Sequence, residues 1–223
     1  MKAFFKKWWH ALLGLYALIY MPCFTYLEKH VIDEYHLIHC GLDDKIPFCE
    51  YFIIPYFFWF AFIAIACVYF FFKSQEECVR MGLYLIIGMS TAIIIYFVFP
   101  NGLGSIRPAE FPRDNFCTDM VKFLYKSDTS TNVLPSLHVF NTLVVVIAVF
   151  KSKTFKRPKL MRTIVSVIAV FICLSTVFLK QHSVYDLLAA VALILILYPL
   201  IYKNKLLSRC FKHNGRDAEK EGA

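Results

Sequence analysis

The sequence predicts an all-α, polytopic membrane protein with six transmembrane helices, and three observations carry that prediction. The chain is 59% hydrophobic and 17% aromatic, above the roughly 45–50% apolar content of an ordinary soluble domain. Its apolar residues gather into six runs over 223 residues, and with about 20 residues needed to cross a bilayer little chain is left over. Its Lys and Arg concentrate in alternate connections between those runs. Such alternation is the signature of membrane topology and turns the net charge of +8 away from a nucleic-acid partner.

Met1 to Lys7 forms a short basic tail. Span one runs from about Trp8 to Leu27, with Trp8 and Trp9 as interfacial anchors; it is too long for a signal-peptide core and lacks a small-residue cleavage pattern. Residues 28–49 carry Glu28, Asp33, Glu34, Asp43 and Asp44 and read as an amphipathic segment on the outer surface. His30, Asp33, His36 and His39 recur in it every three residues, which is expected to be a wet helix face or a lid over the site, not a metal centre. Span two covers about Tyr51 to Phe72 and span three Met81 to Phe99, stopped by Pro100-Asn-Gly.

The longest connection, residues 100–135, holds Arg107-Pro108, a surface-charge candidate in Arg113, and a short helix expected from Asp114 to Lys126; a loop of that length in a small domain is usually functional. Span four runs from about Ser136 to Phe150, span five from Thr163 to Leu179 and span six from Tyr185 to Tyr202, with a charged tail over 204–223. The two tails and the connections near 73–80 and 151–162 hold 17 Lys and Arg, against 7 in the other three connections. Positive-inside then puts both termini in the cytoplasm and every candidate catalytic residue on the extracytoplasmic side. The compact layout suits a bacterial cytoplasmic membrane. Of eight cysteines, Cys40, Cys49 and Cys117 fall on that outer side, where a disulfide is allowed; three cannot all pair, and their spacing does not choose.

The chemistry concentrates at the seam between the last two spans, in Ser175-Thr-Val-Phe-Leu-Lys-Gln-His-Ser-Val-Tyr-Asp186. His182 and Asp186 are four apart and share a helix face, so the carboxylate can fix the imidazole tautomer and stabilise its cation. A histidine so backed can attack phosphorus. Upstream, Pro135-Ser-Leu-His138 brings a second histidine to the same kind of boundary, able to protonate a leaving oxygen and then take a proton from the incoming one. Arg107, Lys180 and the Ser136 hydroxyl suit a phosphate, and cations of that kind stabilise phosphoryl transfer without metal or cofactor.

These residues resemble the type 2 phosphatidic acid phosphatases and their vanadium haloperoxidase relatives, whose motifs are written KxxxxxxRP, PSGH and SRxxxxxHxxxD. Ser175, His182 and Asp186 keep the register of the third, Pro135 to His138 match the second with Leu137 for Gly, and Arg107-Pro108 keeps the end of the first, with Pro100 where lysine stands. The resemblance implies a six-helix bundle with its catalytic core over about 81–203 of the membrane domain 1–203. It also implies His182 as nucleophile, Asp186 as its partner, His138 as general acid, and Arg107 and Ser136 as phosphate ligands. Thr176 stands where the family has arginine, a charge that Lys180 would supply. A basic residue two before His182 and a bulky one before His138 are similar to the inositol phosphorylceramide synthase branch. The expectation is a metal-independent lipid phosphatase acting on phosphatidate, a lysolipid phosphate or an isoprenyl pyrophosphate, with a phospholipid headgroup transferase as the alternative and a non-catalytic transporter or assembly factor as the third.

Overall fold

A computed structural model describes residues 8–31, 34–204 and 207. The charged tails 1–7 and 208–223, together with Asp33, lie outside the described residues. Helix α1 (Ala17–His30) follows a 3₁₀ lead-in over Trp9–Tyr16. Helices α2 (Ile53–Lys73) and α3 (Gln75–Val98) come next, then α4 (Phe116–Ser127), α5 (Leu137–Lys151), α6 (Pro158–Phe178) and α7 (Val184–Tyr202). The starts obey local rules: Ser74, Asn115, Ser136 and Ser183 each cap a first-turn N–H, and Pro158 opens α6 where no N–H is needed.

Five of these segments are long and apolar enough to cross a membrane, from Trp9–His30 to Val184–Tyr202. The expected fourth span falls short. Helix α5 has 15 residues, about 22 Å at the α-helical rise against a hydrocarbon core of about 30 Å. The bundle itself supplies its solvent, because nine of those residues are buried. It packs against α2, α3, α6 and α7, and its Phe140 ring sits in the space that a side chain at Gly88 of α3 would occupy. Phe62, Met81, Tyr84, Phe140, Ile172 and Ile194 belong to one continuous core. The hydroxyl of Tyr84 ties α3 to α7 by donating to the Ile194 carbonyl at 2.6 Å.

Residues 34–49 do not continue as an amphipathic helix. Strand β1 (His36–Leu37) pairs in parallel with β2 (Asn101–Gly102). Asn101, fully buried, accepts from the Val133 and Leu134 N–H groups at 2.9 and 2.8 Å, so the turn that stops α3 also holds the chain before α5. His36 stacks on Phe99 at 4.3 Å and His39 bonds Asp44 at 2.9 Å, which dissolves the expected histidine face. Arg113 is more than a surface charge: it donates to Glu50, a carboxylate with no exposure, at 2.9 Å. Cys40, Cys49 and Cys117 are all free.

Candidate active site

The ends of α1, α3 and α6 and the starts of α2, α5 and α7 meet at one end of the bundle. The turn from α6 to α7 is built on its own backbone: the Thr176 carbonyl accepts from the N–H groups of Gln181 and His182 at 2.9 and 3.1 Å. Lys180 takes a left-handed φ of 54° to close that turn. Ser183 then caps α7 in a capping box with Asp186. One carboxylate oxygen of Asp186 accepts from the Ser183 N–H at 2.8 Å and contacts His182 Nδ1 at 3.2 Å. The sequence spacing of four thus becomes a buried imidazole–carboxylate pair, with Nδ1 occupied and Nε2 as the nitrogen available to react.

His138 stands opposite, on the first turn of α5. Its ring stacks on Tyr56 at 4.4 Å, lies 4.3 Å from Trp59 and 5.9 Å from the His182 ring. Its Nε2 is buried without a hydrogen-bond partner among the described residues. Both histidines line a cavity of about 380 Å³, and Gln181 lines it too, with an unpartnered amide nitrogen. Two facing imidazoles and an unused N–H donor are the parts that an incoming phosphate ester requires.

The other expected phosphate ligands are placed differently. Lys180 is buried and donates to the carbonyls of Asp43 and Ile46 at 2.6 and 2.5 Å. Burial pushes its ammonium below the usual lysine value, and the Asp43 and Asp44 carboxylates pull it back. Arg107 donates to the carbonyls of Tyr125, Asp128 and Thr129 and to Gln181 Oε1 at 2.6 Å; it does not line the cavity itself but braces Asp128, Thr129 and Gln181, which do. The hydroxyl of Ser136 caps α5, and its N–H donates to the Asp186 carbonyl at 3.2 Å. The structure therefore brings together His182, Asp186 and His138, and puts Arg107, Ser136 and Lys180 behind them.

Residues 81–207, more than half of the chain, match the family model described as the PAP2 superfamily. The chain belongs to that superfamily. No curated protein and no solved structure matches it. The PAP2 match begins in α3 and so includes the His138, His182 and Asp186 stretches but not α1 or the segment before α2.

Besides Tyr56 and Trp59, two carboxylates from outside the PAP2 match reach the site. Asp43 accepts from Ser183 Oγ at 2.6 Å, the Val184 N–H at 2.9 Å and the Cys40 N–H at 2.8 Å. Burial pushes its carboxyl up, but these donors outweigh burial and hold it below the usual carboxylate range. Glu28 accepts from Thr129 Oγ1 at 2.6 Å and Asn132 Nδ2 at 2.9 Å. Asp43 stands 140 residues from its partner Ser183, and no periodicity could have paired them. The polar run Ser127-Asp-Thr-Ser-Thr-Asn132, just before the Pro135 stretch, was a readable signal: Asp128, Thr129, Thr131 and Asn132 all line the cavity.

Proposed function

We propose that this PAP2 protein is an integral membrane enzyme that cleaves a lipid phosphate ester through a phosphohistidine at His182. The observation that carries the reading is the pair of imidazoles facing one cavity, one of them fixed by Asp186. His182 Nε2 attacks phosphorus, an N–P bond forms and the P–O bond to the lipid alcohol breaks. The departing oxygen takes its proton from His138, whose charged form the phosphate itself favours. Water then gives a proton to His138, its oxygen attacks phosphorus, and the N–P bond breaks to release phosphate and free His182. Asp186 holds the ring and stabilises its positive form throughout. Metal takes no part in these steps. Arg107 acts on phosphate through Gln181, and Ser136 and Lys180 hold the two histidine-bearing stretches in register.

A lipid substrate is supported by a second, apolar cavity of about 650 Å³ along the first helix, α2 and α3, which shares Trp59, Met89 and Asn141 with the catalytic one. An acyl or isoprenyl chain fits there while its phosphate meets His182. The charge count of the connections supports an extracytoplasmic site with both termini inside. A headgroup transferase, in which an alcohol replaces water, is the second reading. What favours it is that no Lys or Arg lines the catalytic cavity among the described residues, which suits a singly charged diester better than a monoester carrying close to two charges.

Purified protein given a ³²P-labelled lipid in EDTA tests both readings. Acid-labile label on the wild-type protein and none on His182→Ala is the expected result; a His182→Ala protein with full turnover would end the mechanism. Free phosphate at a rate independent of added diacylglycerol or ceramide identifies the phosphatase, and label moving into a new lipid identifies the transferase.

A further inference from the structure

The catalytic cavity carries two carboxylates that phosphoryl transfer does not use. Glu28 and Asp128 both line it. Glu28 accepts from Thr129 and Asn132, and Asp128 accepts a 3.0 Å bond from the Tyr56 hydroxyl. Burial, and next the charge of Glu28, push the Asp128 carboxyl above its usual value. Arg107 offsets part of that push, but its guanidinium is engaged on loop carbonyls, that of Asp128 among them, and on Gln181, while Lys180 is engaged on Asp43 and Ile46; neither lines the cavity. Two acceptors complete the wall. Asn132 and Asn141 are 5% and 3% exposed, both line the cavity, and each keeps an amide oxygen without a donor among the described residues. The orientation of Asn132 is set by its amide nitrogen, which donates to Glu28. His138, His182 and Gln181 suit a phosphate, and beside them Glu28, Asp128 and the two amide oxygens make the lining acidic and rich in acceptors.

Resting on the headgroup-transferase reading above, we propose that the substrate is a phosphodiester lipid whose headgroup bears a protonated amine, seated between Asp128 and the amide oxygen of Asn132, with Glu28 behind them. An ammonium supplies an N–H donor to the Asn132 oxygen, which has none among the described residues, and its charge relieves the repulsion between the carboxylates. A phosphomonoester would bring more negative charge and no donor to the same wall. A neutral polyol headgroup shares the donors but not the charge.

The test titrates the full-length protein in nanodiscs with glycerophosphoethanolamine, glycerophosphoglycerol and glycerol 3-phosphate, and reads binding by calorimetry. The amine diester should bind about tenfold tighter than the polyol diester, and Asp128→Asn should abolish that preference by weakening the amine diester far more than the polyol. Tighter binding of the polyol or of the monoester, binding of none of the three, or an amine preference that survives Asp128→Asn would each overturn the proposal. Binding is read without turnover, so its failure is distinct from failure of the phosphohistidine, which the His182→Ala labelling experiment reports.

Discussion

Helices α5 and α1 are both apolar, yet they do opposite things. In α5 nine residues are buried and the helix is too short to span a bilayer alone, while in α1 only Leu27 is buried and Leu18, Ile19 and Met21 face outward. One is surrounded by protein; the other has the composition and exposure of a lipid-facing helix. The division follows the PAP2 match, which contains α5 and leaves out α1. The proposed chemistry lies in the matched core, on His138, His182 and Asp186. The segment that includes α1 contributes what surrounds the chemistry: Glu28 against the 129–132 stretch, and Asp43 against the start of α7. A common reaction core can thus be given its own cavity wall by residues far from it in sequence.

The largest expected effect belongs to the core. Asp186→Asn should lower kcat by about three orders of magnitude, because the amide can no longer stabilise a positive His182; the thermal midpoint should move little, since the side-chain oxygen still accepts from Ser183. An Asp186→Asn protein with near wild-type kcat would remove the distinction between core and periphery. Asp43→Asn comes next, with kcat about tenfold lower and KM nearly unchanged, as Ser183 and Val184 lose a charged acceptor and the His182 turn loosens. A change in KM alone would instead place Asp43 against substrate.

Asp43 also predicts an acid limb. Its folded carboxyl titrates below the ordinary value of 3.8, so its contribution is present above that value and lost as pH falls through the lower, folded one. Unfolding followed from pH 5 down to pH 2 should show a shallower loss in Asp43→Asn than in the wild type.

Two glycines sharpen the same contrast through stability. A side chain at Gly88 would lie 1.9 Å from the Phe140 ring, and Gly88→Ala should cost about 1–3 kcal/mol by forcing α3 and α5 apart. At Gly14, in the lead-in to α1, nothing lies within 4 Å. Gly14→Ala should be neutral or stabilising by up to about 1 kcal/mol. Equal effects at the two sites, measured as thermal midpoints in the same detergent, would contradict the packing difference.

Much of this was legible in one dimension because its causes are local. Runs of apolar residues mark helices, serines and asparagine before them mark their starts, and a histidine four residues before an aspartate can meet it, although His182 does so from the turn ahead of α7 and not from a shared helix face. The polar run before Pro135 carried a signal for one wall of the cavity that the motifs on either side of it did not include. The sequence by itself determined the all-helical class and the candidate histidines. It also determined the alternation of charge across the connections. Only the tertiary structure decided that α5 is a buried helix of 15 residues, that residues 36–37 pair as a strand with Asn101-Gly102, and that Lys180 and Arg107 bind carbonyls instead of lining the cavity. The reason is physical. A buried cation goes to whichever acceptors the fold places within about 3 Å, and those of Lys180, like Asp43 for Ser183, come from chain more than a hundred residues away.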